Sequence, residues 1–458
     1  MKSFEHYKRL IKLLFSFMLV ALLTGVYGIV WIGYYNKIIW APFFRRGNWM
    51  MIFIYGVLLI FFMQMYGGFK VSQLRRGNLI YSQILAVIFT NIITYFQIAV
   101  LNKSFGTLVP LMAIAVADAA IITLWTLVFQ YIYNKIFPRR KMLLISGDRC
   151  DYHLFEKMNS REDKYEICET VSYLSGMDVL TAKMSEYDAV IVGDMPSHER
   201  NLIVKYCYAN SIRTYSVPKI SDILLRSSVE LNLFDSPLLL SRNIGLQIEQ
   251  EFCKRVVDIV GAGIGAIVTI PLFAVIAVCI KLTDGGPVFY KQKRLTKDGK
   301  EFEIYKFRTM IQNAEANGGA RLAADNDDRI LPIGRLLRRL RLDELPQIYN
   351  ILKGEMSIVG PRPERPELAA EITAEIPEFP YRLKVKAGLT GYAQVYGKYN
   401  TTFYDKLKLD LTYIRNYSML LDLKLIIMTP KIMFMKESTE GIKAEDQRVF
   451  EELSKNGK

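Results

Sequence analysis

The sequence predicts a membrane protein of α and α/β class. We expect an N-terminal four-helix transmembrane bundle, a Rossmann-like α/β middle domain, and a mainly α C-terminal domain that contains a re-entrant membrane helix. Three observations support this prediction: four long apolar runs in the first 137 of 458 residues, short apolar runs followed by glycine between residues 142 and 193, and a fifth apolar run interrupted by proline. The expected domains are residues 1–138, 139–245 and 250–458.

The composition agrees with a chain that is partly embedded in a membrane and partly soluble. Hydrophobic residues make up 51% of the sequence and charged residues 23%, and the formal net charge is +14. A basic excess suits anionic lipids, nucleic acids or phosphate-bearing substrates. In a membrane protein much of this excess flanks the cytoplasmic ends of helices, so we expect membrane contact and no nucleic acid partner.

The four N-terminal apolar runs are each about long enough to cross a bilayer as a helix. They are Ile11–Tyr35, Met50–Tyr66, Leu79–Leu101 and Leu108–Phe137. Ten lysines and arginines lie before or at the start of the first run, between the second and third, and after the fourth, against four in the other two loops. Because positive charge favours the cytoplasmic side, both ends of the bundle should face the cytoplasm. Asp118 inside the fourth run is either a functional intramembrane acid or a polar contact between helices.

The fifth apolar run, Val256–Ile280, contains Pro271 and has basic residues on both flanks. Proline lacks an N–H group and disrupts a helix, and flanking positive charge places both ends on the cytoplasmic side. We therefore predict a re-entrant helix over residues 252–282 that breaks at Pro271. The alternative is a spanning helix with a proline kink.

The middle of the chain contains two short buried-strand patterns, Met142–Ile145 and Ala189–Val192, each followed by a glycine. Such runs are typical of a Rossmann-like unit. The glycine-rich dinucleotide fingerprint is missing after the first strand, which argues against a nicotinamide cofactor. We expect a structural, regulatory or oligomerising role.

Several motifs in the C-terminal part combine cations with carboxylates. Residues 302–310 alternate like a half-buried strand and should project Lys306 and Arg308 from one face, which suits a phosphate or a solvated edge. Pro361 and Pro363 bracket Arg362 and restrict its pose, although a rigid turn with an incidental arginine fits equally. The tail, Leu407–Phe434, reads as amphipathic helices on a membrane surface, with a core or partner-binding helix as the alternative.

The adjacent carboxylates Asp343 and Glu344 follow an arginine-rich segment that includes Arg338. Nearby arginines favour the ionised carboxylates, which can hold Mg²⁺ or attack phosphorus. An aspartate that caps the following helix is the competing interpretation.

Histidine and cysteine usage narrows the chemistry. The histidines are His6, His153 and His198, so a C-terminal active site cannot use a histidine base. Five scattered cysteines without a Cys-x-x-Cys pair indicate neither a disulfide framework nor a zinc site.

From about Phe252 onward the chain resembles the bacterial sugar transferase family, and the whole layout resembles its larger polyprenyl glycosylphosphotransferases. The resemblance rests on three motifs in order: Lys306-Phe307-Arg308-Thr309-Met310, Leu342-Asp343-Glu344-Leu345-Pro346-Gln347, and Gly360-Pro361-Arg362-Pro363. Ala387 and Tyr392 depart from the proline and tryptophan that the family often has there, which bears on sugar or nucleotide preference.

The resemblance implies transfer of a sugar-1-phosphate from a UDP-sugar to polyprenyl phosphate with release of UMP, as the first membrane step of exopolysaccharide, capsule or O-antigen synthesis. It implies Asp343 as the nucleophile that forms a covalent intermediate, Glu344 as a ligand of Mg²⁺ (or Mn²⁺) or a proton carrier, and Lys306, Arg308, Arg338 and Arg362 as phosphate contacts. The expected location is the bacterial inner (cytoplasmic) membrane, multi-pass, with the catalytic domain facing the cytoplasm. A homodimer is one alternative for the oligomeric state. An inactive membrane scaffold is the competing function, and a transporter is disfavoured by the few intramembrane charges.

Overall fold

The computed structural model describes residues 6–147, 152–159, 161, 163–232, 235–241, 243–311, 329–397 and 401–433. The fold is mostly helical and includes a four-stranded parallel sheet. The chain divides into an N-terminal unit up to Val217 and a C-terminal unit from Pro218 onward.

The four N-terminal apolar runs all form long helices, as predicted: α1 Lys8–Val30, α2 Arg46–Tyr66, α3 Arg76–Asn102 and α4 Val109–Ile136. A π-helical segment, Trp31–Tyr35, and a short turn, Asn36–Ile38, extend α1. By length and apolar composition each of the four could cross a membrane. Leu23, Leu59 and Ile122 are fully buried between the helices, whereas apolar side chains such as Ile29 and Val100 face outward. Apolar side chains thus lie both between the helices and on their outer surface, as in helices that are surrounded by lipid.

The middle of the N-terminal unit is a parallel α/β sheet in the strand order β2-β1-β3-β4. Its elements are β1 Arg140–Ser146, α5 Tyr152–Asn159, β2 Tyr165–Ser172, α6 Met177–Met184, β3 Ala189–Val192, α7 Ser197–Ala209 and β4 Arg213–Ser216. The two predicted strands are confirmed, because the buried run Met142–Ile145 lies in β1 and the second run forms β3. A Cβ atom at Gly147 would lie 2.0 Å from the Asp194 carbonyl oxygen, so the close approach of the loops after β1 and β3 requires glycine there.

Residues 218–245 belong to the C-terminal unit, whereas the expected boundary of the middle domain lies at residue 245. Helix α8, Ile220–Arg226, buries Ile220 and Ile223 in the same apolar cluster as Leu407 and Leu411. A hairpin of β5 Val229–Leu231 and β6 Leu238–Leu240 follows. The sequence offered no composition change at residue 218, and the boundary is set by this long-range packing.

The fifth apolar run forms one 37-residue helix, α9, Ile248–Asp284, and it is also long and apolar enough to cross a membrane. Pro271 lies inside α9, and the helix assignment continues through it. The predicted break at Pro271 is therefore not present in the secondary structure. Proline removes one backbone hydrogen bond, and the turns on both sides keep theirs, as membrane helices commonly tolerate.

The rest of the C-terminal unit is built from short elements around several apolar clusters. Those that frame the candidate site are the antiparallel hairpin β7 Phe289–Leu295 and β8 Glu301–Phe307, then α10 Pro332–Arg339, α11 Gln347–Lys353 and β9 Ser357–Val359. After them come α12 Pro366–Glu375, β10 Gly388–Thr390 (parallel to β9), α13 Tyr392–Tyr396, α14 Phe403–Arg415 and α15 Met419–Met433.

The tail helices α14 and α15 contribute to the largest of these clusters. Leu407 and Leu425 are fully buried in it, together with Leu411 and Tyr413. These side chains therefore belong to the core, which is the alternative interpretation of the tail. Leu420 of α15, in contrast, is 70% exposed. Phe434, the last residue of the predicted tail segment, lies outside the described residues.

Candidate active site

The Asp343–Glu344 pair lies on a short 3₁₀ turn, Leu342–Glu344, between α10 and α11. Arg341, just before the turn, has a positive φ of 53°. A left-handed conformation is unfavourable for a residue with a Cβ atom, and such strain is concentrated at functional sites. The left-handed conformation of Arg341 ends the arginine-rich helix α10 and starts the turn that carries both carboxylates.

Glu344 is the anionic centre of a buried cluster of charges. Its Oε1 atom accepts hydrogen bonds from Lys306 Nζ at 3.1 Å and from Arg362 Nη2 at 2.9 Å. The residue is only 8% exposed. Burial alone would raise the pKa of Glu344, but Arg362, Lys306 and Arg341 outweigh it and hold that pKa well below its ordinary value. Glu344 is therefore a fixed anion whose carboxylate organises two cations.

Asp343 differs from its neighbour in the direction of its pKa. Burial and the adjacent Glu344 carboxylate raise the pKa of Asp343, while Lys306 and Arg338 oppose that rise. A pair of carboxyl groups whose pKa values are driven apart usually has divided roles. A carboxylate of raised pKa is the more basic one, so Asp343 is the more basic of the two carboxylates.

Lys306 reaches Glu344 because of strand geometry. Side chains on a strand alternate, so Lys306 shares a face with Phe302 and Ile304, which are buried. Burial lowers the pKa of Lys306, and Glu344 opposes that change by stabilising the ammonium form. The carboxylate thus favours the protonated form of the lysine.

Asn350 joins α11 to β8 beside this lysine. The Asn350 side chain is fully buried, accepts from Tyr305 N at 3.1 Å and donates to Glu303 O at 2.7 Å and to Glu355 Oε2 at 2.8 Å. It therefore fixes the backbone on the residue before Lys306. The sequence analysis missed Asn350, because nothing in its local pattern distinguishes it from an ordinary helix residue.

Arg362 lies in the loop between β9 and α12, where three successive carbonyl groups are each held by a donor. Arg382 Nη2 donates to Arg362 O at 3.0 Å, Arg294 Nη1 donates to Pro363 O at 3.1 Å, and Leu295 N donates to Glu364 O at 3.0 Å. The two prolines restrict the backbone dihedral angles of the loop, and these hydrogen bonds hold the loop in one position.

Arg382 is itself fixed by a buried ion pair. Its Nε and Nη2 atoms lie 2.9 Å and 2.7 Å from Asp410 Oδ2, and the two side chains are 6% and 1% exposed. The sequence analysis missed both residues, since they are far from each other and from the motifs along the chain.

Arg308 is not brought to the carboxylate pair. Its Nη1 atom lies 2.5 Å from Asp284 Oδ2, its Nη2 atom also bonds Asp284, and its Nε atom donates to Pro287 O at 2.6 Å. The strand alternation did not indicate the partner of Arg308, which the end of α9 supplies. Its contacts are those of an anchor for α9, in contrast to the predicted phosphate contact.

An apolar groove of about 450 Å³ opens beside the carboxylate pair. It is lined by Ala266, Thr269, Ile270, Phe273, Phe289, Tyr305, Pro346, Ile348, Tyr349 and Leu352. Pro346 and Tyr305 of this lining are close neighbours along the chain of Glu344 and Lys306, so the groove extends from the middle of α9 to the segments that carry the charged cluster.

The carboxylate pair provides enough protein ligands for Mg²⁺, but not the three or more ligands of a site built from protein side chains alone. Mg²⁺ usually takes one or two protein carboxylates and completes its shell with water and substrate phosphates. Asp343 and Glu344 offer two carboxylates, and the described part of the chain gathers no set of three or more acidic, histidine or cysteine ligands. A metal carried in with a diphosphate substrate fits these residues.

Comparisons with known proteins match the C-terminal part of the chain to one family. The profile of the Bacterial sugar transferase family matches residues 249–436. Over 130 residues the chain is 48% identical to a putative undecaprenyl-phosphate N-acetylgalactosaminyl 1-phosphate transferase of Bacillus subtilis, covering 72% of that protein and 28% of this chain. The chain belongs to the bacterial sugar transferase family.

Two longer relatives extend the match. The chain is 38% identical over 251 residues to a UDP-N-acetylgalactosamine-undecaprenyl-phosphate N-acetylgalactosaminephosphotransferase of Aeromonas hydrophila, covering 53% of this chain and 58% of that protein. It is 33% identical over 267 residues to a UDP-glucose:undecaprenyl-phosphate glucose-1-phosphate transferase of Klebsiella pneumoniae, covering 57% of this chain and 56% of that protein. The chain thus spans a little over half the length of these two curated relatives.

Proposed function

We propose that this protein transfers a sugar-1-phosphate from a UDP-sugar to polyprenyl phosphate, releases UMP, and thereby begins the synthesis of an exopolysaccharide, capsule or O-antigen at the membrane. The observation that carries the proposal is the buried Glu344 carboxylate, which holds Lys306 and Arg362 beside Asp343. Two cations aligned next to a basic carboxylate suit a diphosphate better than an uncharged substrate. The names of the relatives divide between glucose and N-acetylgalactosamine, so the donor sugar is a question for a panel of donors.

In the first step, an oxygen of the Asp343 carboxylate attacks the phosphorus that bears the sugar. The bond from that phosphorus to the bridging oxygen breaks, and UMP leaves with the electron pair. In the second step, a phosphate oxygen of the lipid attacks the same phosphorus and restores the Asp343 carboxylate. Lys306, Arg338 and Arg362 supply positive charge where negative charge develops, which is the main source of catalysis in phosphoryl transfer.

Asp343 and Glu344 would hold Mg²⁺ or Mn²⁺ together with the substrate phosphates. Such an ion would neutralise charge on the diphosphate. The structure gives Glu344 a second task in this proposal, because its carboxylate already orients Lys306 and Arg362.

The apolar groove supports a lipid acceptor. Its wall combines α9 with aromatic and aliphatic side chains of β7, β8 and α11, and it includes Pro346, two residues after Glu344. An isoprenoid chain in this groove would bring its phosphate to the charged cluster while remaining shielded from water. Exposed apolar side chains along α9, including Phe252, Ile267 and Leu282, suit contact with the bilayer.

We also propose that α9 bends at Pro271 without losing its helical hydrogen-bond pattern, and that it is re-entrant with both of its ends on the cytoplasmic face. Near its start, Lys254 bonds Asp422 at 2.5 Å, and Asp258 accepts from Ser357 at 3.0 Å. At its end, Asp284 bonds Arg308. Because one folded unit holds both ends of α9, we expect both ends on the same side of the bilayer. Labelling Cys253 and an introduced Thr283→Cys with an impermeant reagent should find both on one side, and labelling from opposite sides would contradict re-entry.

The decisive experiment uses the full-length protein and a donor labelled in the sugar. The wild type should trap label on the protein and release UMP before lipid is added, and Asp343→Asn should do neither while inserting normally into membranes. Near-normal turnover of Asp343→Asn would exclude this nucleophile. Failure of the wild type to turn over any UDP-sugar would favour the inactive scaffold.

A further inference from the structure

A polar layer crosses the interior of the N-terminal helices and has no part in the proposed transfer reaction. It consists of Tyr27 from α1, Tyr55 from α2, Asn91 from α3 and Asp118 from α4, one side chain from each helix. Tyr27 and Tyr55 stack with ring centroids 4.0 Å apart, and Tyr55 OH donates to Asn91 Oδ1 at 3.0 Å. All four residues are at most 7% exposed.

The helix register puts Asp118 at the level of Asn91. Thr126 of α4 donates to Gln83 of α3 at 3.0 Å, which fixes the antiparallel pair at that point. Asn91 lies eight residues after Gln83, and Asp118 lies eight residues before Thr126, so both lie about 12 Å from that bond in the same direction. Tyr55 is also within electrostatic reach of Asp118. The layer is therefore continuous across the four helices.

Several polar atoms of this layer have no hydrogen-bond partner among the described residues. They are both carboxyl oxygens of Asp118, Asn91 Nδ2, Tyr27 OH and the neighbouring Thr94 Oγ1. Two other threonine hydroxyls in the same helices are satisfied, since Thr90 bonds Ala86 O at 2.8 Å and Thr123 bonds Ala119 O at 2.7 Å. Among the described residues of these helices, the buried atoms without a partner are concentrated around Asn91 and Asp118, and the hydroxyls of Thr24 and Tyr35 are further examples outside the layer.

We infer that this layer is an internal hydration site, in which water bridges the Asn91 amide to Asp118 and Asp118 is held as the neutral acid. The unpaired set contains a donor as well as acceptors, and water can serve both, whereas a metal cation would be repelled by the amide hydrogens. A buried water needs two to four polar partners, and this layer offers them. An ionised carboxylate at this depth without a cationic partner is strongly unfavourable, which leaves the neutral acid.

Infrared difference spectroscopy of the full-length protein in nanodiscs tests the protonation state. At neutral pH the wild type should show the carbonyl stretch of a protonated carboxylic acid, and Asp118→Asn should lose that band with a melting temperature within a few degrees of the wild type. If no such band is lost, Asp118 is not a neutral acid and the inference is wrong.

A double-mutant cycle tests the water bridge between the two side chains. Asp118→Leu and Asn91→Leu should each lower the melting temperature by roughly 5 °C. Each substitution removes one end of the water bridge and leaves the polar side chain at the other end buried without its partner. The double variant should lose less than the sum of the two. Thr123→Val, which removes a hydroxyl satisfied within its own helix, is the matched control. Strictly additive losses, or a stabilisation by NaCl that Asp118→Asn abolishes, would overturn the inference, the latter in favour of a cation site.

Discussion

Replacing Glu344 with glutamine should move the whole pH profile of transfer toward acid. Activity requires Asp343 ionised and Lys306 protonated, so the acid limb follows the pKa of Asp343 and the alkaline limb that of Lys306. The Glu344 charge raises both of these pKa values, against burial in the case of Lys306. Glu344→Gln keeps the shape of the side chain and removes the charge, so both limbs should shift to lower pH.

The distances in the site give the expected size of this shift. Glu344 Oε1 and Lys306 Nζ are 3.1 Å apart, and two unit charges at that distance interact by about 5 kcal/mol at an effective dielectric constant of 20. Lys306 is 20% exposed, so solvent reduces this value. If about a quarter to a half of it persists, the alkaline limb moves by roughly one to two pH units.

The same substitution should also slow transfer at the optimum pH. Glu344 accepts two charge-assisted hydrogen bonds, from Lys306 and Arg362, and each becomes a neutral-acceptor bond of about half the strength. A loss of about 1 kcal/mol at each bond corresponds to a rate roughly 30-fold lower.

The assay is UMP release by the full-length protein at saturating UDP-sugar and polyprenyl phosphate, measured across the pH range. Glu303→Gln is the matched control, because Glu303 lies three residues from Lys306 on the same strand and its side chain is 56% exposed. It should leave both limbs in place. Limbs that move apart, or that stay where they are in Glu344→Gln, would refute the assignment of the central charge to Glu344.

Three further predictions follow from the packing around the site. Arg382→Gln should strand the buried Asp410 carboxylate at a cost of about 3–5 kcal/mol, lower the melting temperature and raise KM for the UDP-sugar; unchanged stability and kinetics would mean that the loop stays in place without this ion pair. Gly388→Ala should prevent folding of the C-terminal unit, because its Cβ would lie 2.0 Å from a backbone nitrogen, whereas Gly263→Ala, with open space around it, should be tolerated; expression and thermal unfolding compare the two. Ala266→Trp should fill part of the apolar groove and raise KM for polyprenyl phosphate about tenfold without changing KM for the UDP-sugar, and an equal rise in both would place the lipid elsewhere.

Much of the site could be anticipated from local sequence. The alternation of residues 302–307 indicated a strand that turns Lys306 inward, and the two prolines around Arg362 indicated a rigid loop; the structure has both. It also brings Lys306, Arg338 and Arg362 to the Asp343–Glu344 pair. These features depend on backbone preferences and side-chain direction within a few residues, which short motifs encode.

The partners of the long side chains could not be anticipated in the same way. Arg308 pairs with Asp284, because α9 ends beside the hairpin. Asn350, Arg382 and Asp410 carry contacts that hold the site, although nothing in their immediate sequence distinguishes them.

The sequence by itself determined the five apolar helices, the two central strands of the middle domain and the set of charges around Asp343 and Glu344. These follow from hydrophobic periodicity and composition, which indicate the buried side chains of a segment without information about the segments that pack against it. Only the tertiary structure decided that α9 continues through Pro271, that residues 218–245 pack with the C-terminal unit, and that Glu344 holds two cations while Asp343 has the raised pKa. Each of these depends on segments distant in sequence that meet only in the folded chain, where burial and the nearest charge set the chemistry of a carboxyl group.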